Sequence, residues 1–237
     1  MILDDLATAA SYTPEGLLRI RTACLTVAGV LGDLMAEEIT IVGGLVPSLI
    51  IDQMNLPQGA ELHPGTMDLD LALQLAVLEE AGYKDISERL RGAGFEPDRN
   101  SSGNRTAQRW AVAAGDGARV TVDFLIPPVE GARPGRIFHL EGDFGAVISP
   151  GLDLAFKDRM IQPLAGLNAR GDYLSRSVWV CGPGALVVLK GTRVPWAGEA
   201  QGRLRSVLCA AQLRERPRRC RRAAAPLGRP RCCRKRA

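Results

Sequence analysis

The chain changes character abruptly after Lys190, and this change limits how much of it can form a folded domain. Residues 1–190 carry 16 Lys and Arg against 24 Asp and Glu, a net charge of −8. Residues 191–237 carry 14 Lys and Arg against 2 acidic residues, a net charge of +12, with Trp196 as their only aromatic residue. So basic and poorly patterned a segment is typical of disorder. We therefore predict one folded domain over 1–190 and a disordered basic tail over 191–237.

Composition and motifs argue against several classes of protein. No apolar run approaches the roughly 20 residues of a membrane span, so we expect no membrane association. The first residues, Met1–Asp5, lack the basic segment of a signal peptide, which favours the cytoplasm and reduced thiols. Two histidines and the lack of a Cys-x-x-Cys pair argue against a structural zinc site. The P-loop, Rossmann and hydrolase-elbow motifs do not occur.

Hydrophobic spacing divides the predicted domain, residues 1–190, into an opening helix at 14–35, a core at 39–126 and a C-terminal part at 127–190. The expected strands are 39–42, 67–73, 95–99, 106–113, 119–126, 137–140, 146–148 and 177–181. The further expected helices are 45–54, 84–91 and 184–190. The short connection between 106–113 and 119–126 predicts antiparallel pairing. These elements predict an α+β fold with a mixed sheet flanked by helices.

Three carboxylates on the predicted strands suggest a metal site. Asp68 and Asp70 are two residues apart on one strand, so their side chains point to the same side. Asp123, centred in a β-branched and aromatic strand, would complete an oxygen cage of the kind that Mg²⁺ prefers. Two such ions, about 3.5–4 Å apart, are suited to in-line phosphoryl transfer. The alternative is that the pair is solvated at a strand end and Asp123 faces the exposed side of its sheet.

Gly43 and Gly44 follow the first strand and precede a helix. Backbone N–H groups at such a turn bind phosphate. A tight turn that needs a positive φ angle is the alternative explanation for the glycine pair.

The order of these motifs resembles a known family. Val42-Gly43-Gly44, then His63-Pro64-Gly65-Thr66-Met67-Asp68-Leu69-Asp70-Leu71, then the strand with Asp123 are similar to the polymerase-β-type nucleotidyltransferase superfamily. Within it, the sequence most resembles the AbiEii-type toxins of bacterial type IV toxin–antitoxin, or abortive-infection, systems of phage defence. The resemblance covers roughly 39–190 and implies a nucleotidyltransferase-type fold.

The resemblance also implies roles for individual residues. Asp68 and Asp70 would bind two Mg²⁺ ions, and Asp123 would be the third ligand and the base for the acceptor hydroxyl. Gly43 and Gly44 would hold the terminal phosphates. The helix ending at Lys190 corresponds to a lysine-bearing helix of the family. The family further implies a nucleoside triphosphate substrate, an RNA acceptor such as tRNA, toxicity and an antitoxin partner.

Other residues keep two interpretations. Thr66 either contacts the triphosphate or caps the turn before the strand. Lys190 either neutralises phosphate or is a helix C-terminal lysine favoured by the helix dipole. Arg105 and Arg109 either lie near the phosphate or the acceptor, or they are solvated. His63 is interpreted as a loop residue.

The sequence departs from the family after Lys190, where an Arg…Lys-Asp-x-x-Asp-Leu helix is expected. Gly191–Arg216 can be encoded, with synonymous codons chosen for the purpose, so that reading one base later gives ALAFRGQGKPKDAYDLFYVLRNYGS. That string contains the missing motif. We therefore interpret the tail as a frameshifted segment.

The sequence thus predicts a Mg²⁺-dependent nucleotidyltransferase that moves a nucleoside monophosphate from a triphosphate to an acceptor hydroxyl. Two alternatives stay open: an inactive remnant of that family, and an RNA-binding protein that acts through its basic tail by phosphate neutralisation.

Overall fold

The computed structural model describes residues 14–52, 55–56, 58, 66, 68–74, 80–113 and 119–192. Within these ranges it is a mixed α+β structure, as predicted, with nine strands in one open, mixed sheet. Gly191 and Thr192 continue the last helix. The rest of the predicted disordered tail lies outside the described residues.

The helices are α1 (Pro14–Leu31), α2 (Asp33–Glu37), α3 (Val46–Ile50), α4 (Glu80–Gly92), α5 (Asp153–Lys157) and α6 (Pro183–Thr192). The strands are β1 (Ile39–Val42), β2 (Asp68–Leu73), β3 (Glu96–Arg99), β4 (Arg105–Ala113), β5 (Arg119–Ile126), β6 (Ile137–Glu141), β7 (Phe144–Ile148), β8 (Arg159–Leu167) and β9 (Tyr173–Cys181). None of the helices in the described ranges has the length and apolarity that crossing a membrane requires.

The order of the strands puts β1, β2 and β5 in the interior of the sheet. The sequence of neighbours is β3-β4-β5-β2-β1-β9-β8, and the β6–β7 hairpin joins through pairing of β7 with β5. The predicted antiparallel pairing of β4 with β5 is confirmed, whereas β2 and β5 run parallel. Pairing on both sides fixes which side chains of β1, β2 and β5 lie next to each other.

The core forms because the central strands bury apolar side chains against the helices and the neighbouring strands. All four residues of β1 are buried, and α1 places Cys24, Val27 and Leu31, which share one helical face, fully out of solvent. Phe144 of β7 contacts the rings of Trp110 and Phe124 edge-on, with centroid distances of 6.0 and 4.9 Å. These contacts tie the β6–β7 hairpin to β4 and β5.

Several predicted boundaries differ from the structure. The opening helix predicted for 14–35 is divided, because Gly32 has a φ angle of 54° that ends α1 before α2 begins. The helix predicted for 45–54 ends at Ile50, where extended Ile51 follows. Strand β8 has no counterpart among the predicted strands; it contains Pro163 and lies at the sheet edge, where a strand proline is tolerated.

Candidate functional site

Asp68, Asp70 and Asp123 lie together on one face of the sheet. One carboxylate oxygen of each lies within 4.8 Å of the other two. Asp70 is 6% exposed and Asp123 is 8% exposed, while the Asp68 side chain is 40% exposed. Buried carboxylates so close together are costly unless a cation compensates them. The cluster is therefore a place where positive charge is required.

The pairing of β2 with β5 produces this cluster. Asp70 is the register partner of Asp123, and Asp68 follows two residues away on the same face. The intervening Leu69 and the neighbours of Asp123, Val122 and Phe124, are fully buried on the opposite face. A slip of one residue would bury the carboxylates in the apolar core, so the hydrophobic pattern fixes the site.

The turn at Gly43 packs directly against the cluster. Val42, at the end of β1, is the register partner of Asp70. Gly43 has a φ angle of 78°, and a Cβ atom there would overlap Oδ2 of Asp70. A Cβ atom on Gly44 would overlap Oγ1 of Thr66. Both positions therefore require glycine, because the turn packs directly against Asp70 at Gly43 and against Thr66 at Gly44.

Thr66 is buried beside Asp68. Its hydroxyl lies 3.1 Å from the carboxylate Oδ1 and 3.2 Å from the backbone oxygen of Asp68, so it can donate to either. This contact orients the most exposed carboxylate of the cluster. Of the two interpretations of Thr66 from the sequence, these contacts are those of a residue that fixes the start of β2.

Arg109 pairs directly with two carboxylates of the cluster. It is the register partner of Asp123 across the β4–β5 ladder. Its Nε donates to Oδ1 of Asp123 at 2.7 Å and its Nη2 donates to Oδ2 at 2.6 Å. The same Nη2 lies 3.9 Å from Oδ2 of Asp68. The guanidinium therefore contacts two of the three carboxylates.

The acidic surroundings strengthen the charge of Arg109. Its hydrogen bonds to Asp123 raise the pKa of the guanidinium above its ordinary value, and burial opposes this increase in part. The charges of Asp123, Asp68 and Asp98 raise it further. Arg109 consequently stays positive at any pH at which the protein is folded.

Helix α6 carries Lys190 towards the glycine turn. The Asp158 carboxylate accepts a hydrogen bond from the Ala185 backbone N–H at 2.8 Å and so holds the first turn of α6. A shallow cleft runs between the end of β1 and this helix, and its lining includes Gly43, Ser149 and Lys190. Lys190 is half-buried there. The cleft thus joins the glycine turn to the lysine of α6, which are far apart in the sequence.

The two cysteines among the described residues are unreactive at neutral pH. Cys24 and Cys181 are both buried and free. Burial raises the pKa of each thiol to about 12, and the negative charge of Asp158 adds to the effect at Cys181. A thiol with so high a pKa is not a nucleophile at neutral pH. Neither thiol is therefore a candidate nucleophile.

The structure brings together six of the seven residues chosen from the sequence at the junction of β1, β2 and β5: Gly43, Gly44, Thr66, Asp68, Asp70 and Asp123. Lys190 borders the same glycine turn through the cleft. Arg105 is exposed on β4 and next to Arg99 in register. His63 lies outside the described residues.

Sequence reasoning did not assign Arg109 or Asp158. Arg109 and Asp123 are equally distant from Asp116 in the chain, so a hairpin centred on Asp116 would have placed them opposite each other. No comparable signal marks Asp158, whose contact with α6 joins elements that are distant in sequence.

No protein-family model matches the chain, and no curated protein matches it either.

Proposed function

We propose that the protein is a divalent-metal-dependent nucleotidyltransferase, which moves a nucleoside monophosphate from a nucleoside triphosphate to an acceptor hydroxyl. One observation carries the proposal: the Asp68, Asp70 and Asp123 cluster lies against a glycine turn with a positive φ angle. This combination supports the proposal, because carboxylate oxygens are ligands that Mg²⁺ prefers and backbone N–H groups at a glycine turn can bind phosphate. We propose that the sheet and helices form a nucleotidyltransferase-type fold.

The donor set fits Mg²⁺. All three side chains supply hard carboxylate oxygens, they lie within reach of one ion, and glycine at position 43 leaves room for the Asp70 carboxylate where a Cβ atom would displace it. Asp68 and Asp70 would hold two ions and Asp123 would complete one ion's ligands. When bound, Mg²⁺ supplies positive charge to the phosphates and to the attacking and leaving oxygens.

The residues of the chain account for the remaining requirements of the transfer. The acceptor oxygen forms a bond to the α-phosphorus, the bond to pyrophosphate breaks, and the acceptor proton passes to the carboxylate of Asp123. The turn at Gly43 and Gly44 would hold the terminal phosphates, and Lys190 would neutralise their charge. Thr66 keeps Asp68 oriented through its hydroxyl.

The acceptor and the biological setting follow from the resemblance alone. We propose an RNA acceptor such as tRNA, an antitoxin protein as partner and a toxin-like, phage-defence role in the cytoplasm. Residues 1–190 have a net charge of −8, which disfavours RNA binding before metal is bound. Cations from a segment beyond Lys190 would therefore be needed for tight RNA binding.

A second candidate is an inactive remnant of the same family. It is favoured by the sequence after Lys190, where the Lys-Asp-x-x-Asp-Leu motif does not occur in the present reading frame. A third candidate, RNA binding through the basic tail, lies outside the described residues. Deleting 193–237 distinguishes it, because RNA retention would be lost with the tail only if the tail is the RNA-binding element.

The test is transfer of label from nucleoside triphosphates to total tRNA with Mg²⁺. It compares the present chain with one whose reading frame is restored after Lys190. We expect transfer by the restored chain, and a roughly 100-fold or larger loss with Asp68→Asn. Asp85→Asn is the matched control, because the Asp85 side chain is 42% exposed against 40% for Asp68.

Each result has a separate meaning. Transfer by the restored chain with silence from the present chain would identify a remnant with an intact metal site. Equal transfer by the Asp68→Asn and Asp85→Asn proteins would contradict the proposed role of the cluster.

A further inference from the structure

Arg109 occupies the position where a cation would serve two of the three carboxylates. Its Nη2 is 2.6 Å from Oδ2 of Asp123 and 3.9 Å from Oδ2 of Asp68. Both carboxylate oxygens of Asp123 accept hydrogen bonds from this guanidinium. The cluster therefore already has a cation beside it, and that cation belongs to the protein.

A divalent ion and this guanidinium compete for the same charge. Two positive charges beside the same carboxylate repel each other, and a divalent ion repels a guanidinium more strongly than a monovalent ion does. A metal ion bound to the Asp123 carboxylate would also weaken its hydrogen bonds to Arg109, because both cations would draw on the same negative charge. Metal binding to the cluster thus works against the Arg109–Asp123 pair.

Arg109 is placed so that it can leave without unfolding its strand. Its side chain is 40% exposed, whereas that of Asp123 is 11% exposed. The guanidinium can therefore move towards solvent while the carboxylate stays fixed in the sheet. A guanidinium released beside a metal–triphosphate site meets phosphate oxygens, which it binds with the same planar fork that it offers a carboxylate.

We propose that Arg109 alternates between two anions: the Asp123 carboxylate in the metal-free protein and a phosphate of the bound nucleotide in the metal-loaded protein. Arg109 thereby neutralises the carboxylates before metal binds and becomes a phosphate-binding residue afterwards. This inference rests on the proposed function of the site.

The test measures binding by the full chain and needs no turnover. Mn²⁺ binding, followed by calorimetry without nucleotide, is compared between the unmodified protein and Arg109→Gln. We expect Arg109→Gln to bind Mn²⁺ roughly tenfold or more tightly, because a competing charge is removed. Arg119→Gln is the matched control: Arg119 is on the adjacent strand and pairs with Asp98, and its loss should leave Mn²⁺ affinity unchanged.

A second measurement tests the phosphate half of the proposal. With Mn²⁺ saturating, Arg109→Gln should bind pyrophosphate about tenfold more weakly than the unmodified protein, again with Arg119→Gln unchanged. Arg109→Lys keeps a charge but lacks the planar fork, so it should be intermediate in both measurements. If circular dichroism shows that Arg109→Gln does not fold, Arg109→Lys replaces it as the test variant in both measurements.

The outcomes separate the two proposals. Equal or weaker Mn²⁺ binding by Arg109→Gln would overturn the alternation while leaving the metal site intact. Tighter Mn²⁺ binding with unchanged pyrophosphate affinity would also overturn it, because Arg109 would then be a counter-ion only. If neither the unmodified protein nor Arg109→Gln binds Mn²⁺, the proposed function fails and this inference fails with it.

Discussion

The Arg109 guanidinium pairs with both carboxylate oxygens of Asp123, its direct partner across the β4–β5 ladder. Asp123 is in turn the register partner of Asp70. One row across three strands therefore contains a cation and two carboxylates of the candidate metal site. Substitutions in the residues that surround this row should change stability and metal binding in distinguishable ways.

Gly43 should tolerate no side chain. Gly43→Ala introduces a Cβ atom against the Asp70 carboxylate at a φ angle of 78°, and we expect it to lower the free energy of unfolding by roughly 2–5 kcal/mol. Gly94→Ala is the control, because Gly94 has a φ angle of 88° with nothing within 4 Å of the added atom. It should cost about 1–2 kcal/mol. Urea unfolding measures the free energy of unfolding of both variants. Equal decreases for Gly43→Ala and Gly94→Ala would contradict the close packing of the turn.

The hydroxyl of Thr66 should contribute to both the stability of the protein and its affinity for Mn²⁺. Thr66→Val removes the hydrogen bond to Asp68 at nearly constant volume. We expect a loss of about 1 kcal/mol in unfolding free energy and roughly tenfold weaker Mn²⁺ binding, because Asp68 is less well oriented. Thr66→Ser keeps the hydroxyl and should bind Mn²⁺ as the unmodified protein does. Equal affinities for the Val and Ser variants would rule out an orienting role.

Asp158 should position Lys190 through α6. Asp158→Ala removes the acceptor of the Ala185 N–H, and we expect a loss of about 1–2 kcal/mol in unfolding free energy together with weaker pyrophosphate binding in Mn²⁺. Asp153→Ala, on the exposed surface of α5, should change stability by less than about 0.5 kcal/mol. Unaltered pyrophosphate binding by Asp158→Ala would separate α6 from the phosphate site.

Cys24 should make stability fall at high pH. Burial raises the pKa of its thiol from 9.0 to about 12, with Arg21 opposing. The folded protein therefore holds the proton more tightly than the unfolded chain does. The stabilisation that comes from the protonated Cys24 thiol is fully present below pH 9. As the pH rises from 9 towards 12, the free energy of unfolding falls by up to about 1.4 kcal/mol per pH unit.

Cys24→Ala provides the comparison. Between about pH 8 and about pH 10.5 the unmodified protein should lose roughly 2 kcal/mol more unfolding free energy than this variant, measured with urea under reducing conditions. Parallel pH dependence of the two proteins would contradict the burial of the thiol.

The sequence was sufficient to predict the parts of the site that depend on local pattern. Ile39–Val42 is β-branched and ends at two glycines, residues 68–71 alternate acidic and apolar side chains, and residues 119–126 are rich in β-branched residues. Their strands and the face shared by Asp68 and Asp70 follow from the alternation of residues. The turn and the carboxylates could therefore be found from local sequence alone.

Features that depend on distant contacts could not be predicted in this way. Strand β8 is set by pairing along its whole length with β9, although Pro163 and Gly166 weaken its own strand tendency. The break at Gly32 depends on a single φ angle. The Arg109–Asp123 pair depends on the register of the β4–β5 hairpin, which the two strand candidates fix only when the centre of the turn is also assigned.

The central claim is that Asp68, Asp70 and Asp123 bind a divalent cation. The most direct measurement is Mn²⁺ binding by calorimetry for the unmodified chain, Asp70→Asn and the control Asp85→Asn. Our account predicts that the unmodified chain and Asp85→Asn bind Mn²⁺ with the same affinity and that Asp70→Asn loses most of it. Equal Mn²⁺ binding by Asp70→Asn, or no binding by the unmodified chain, would contradict the account.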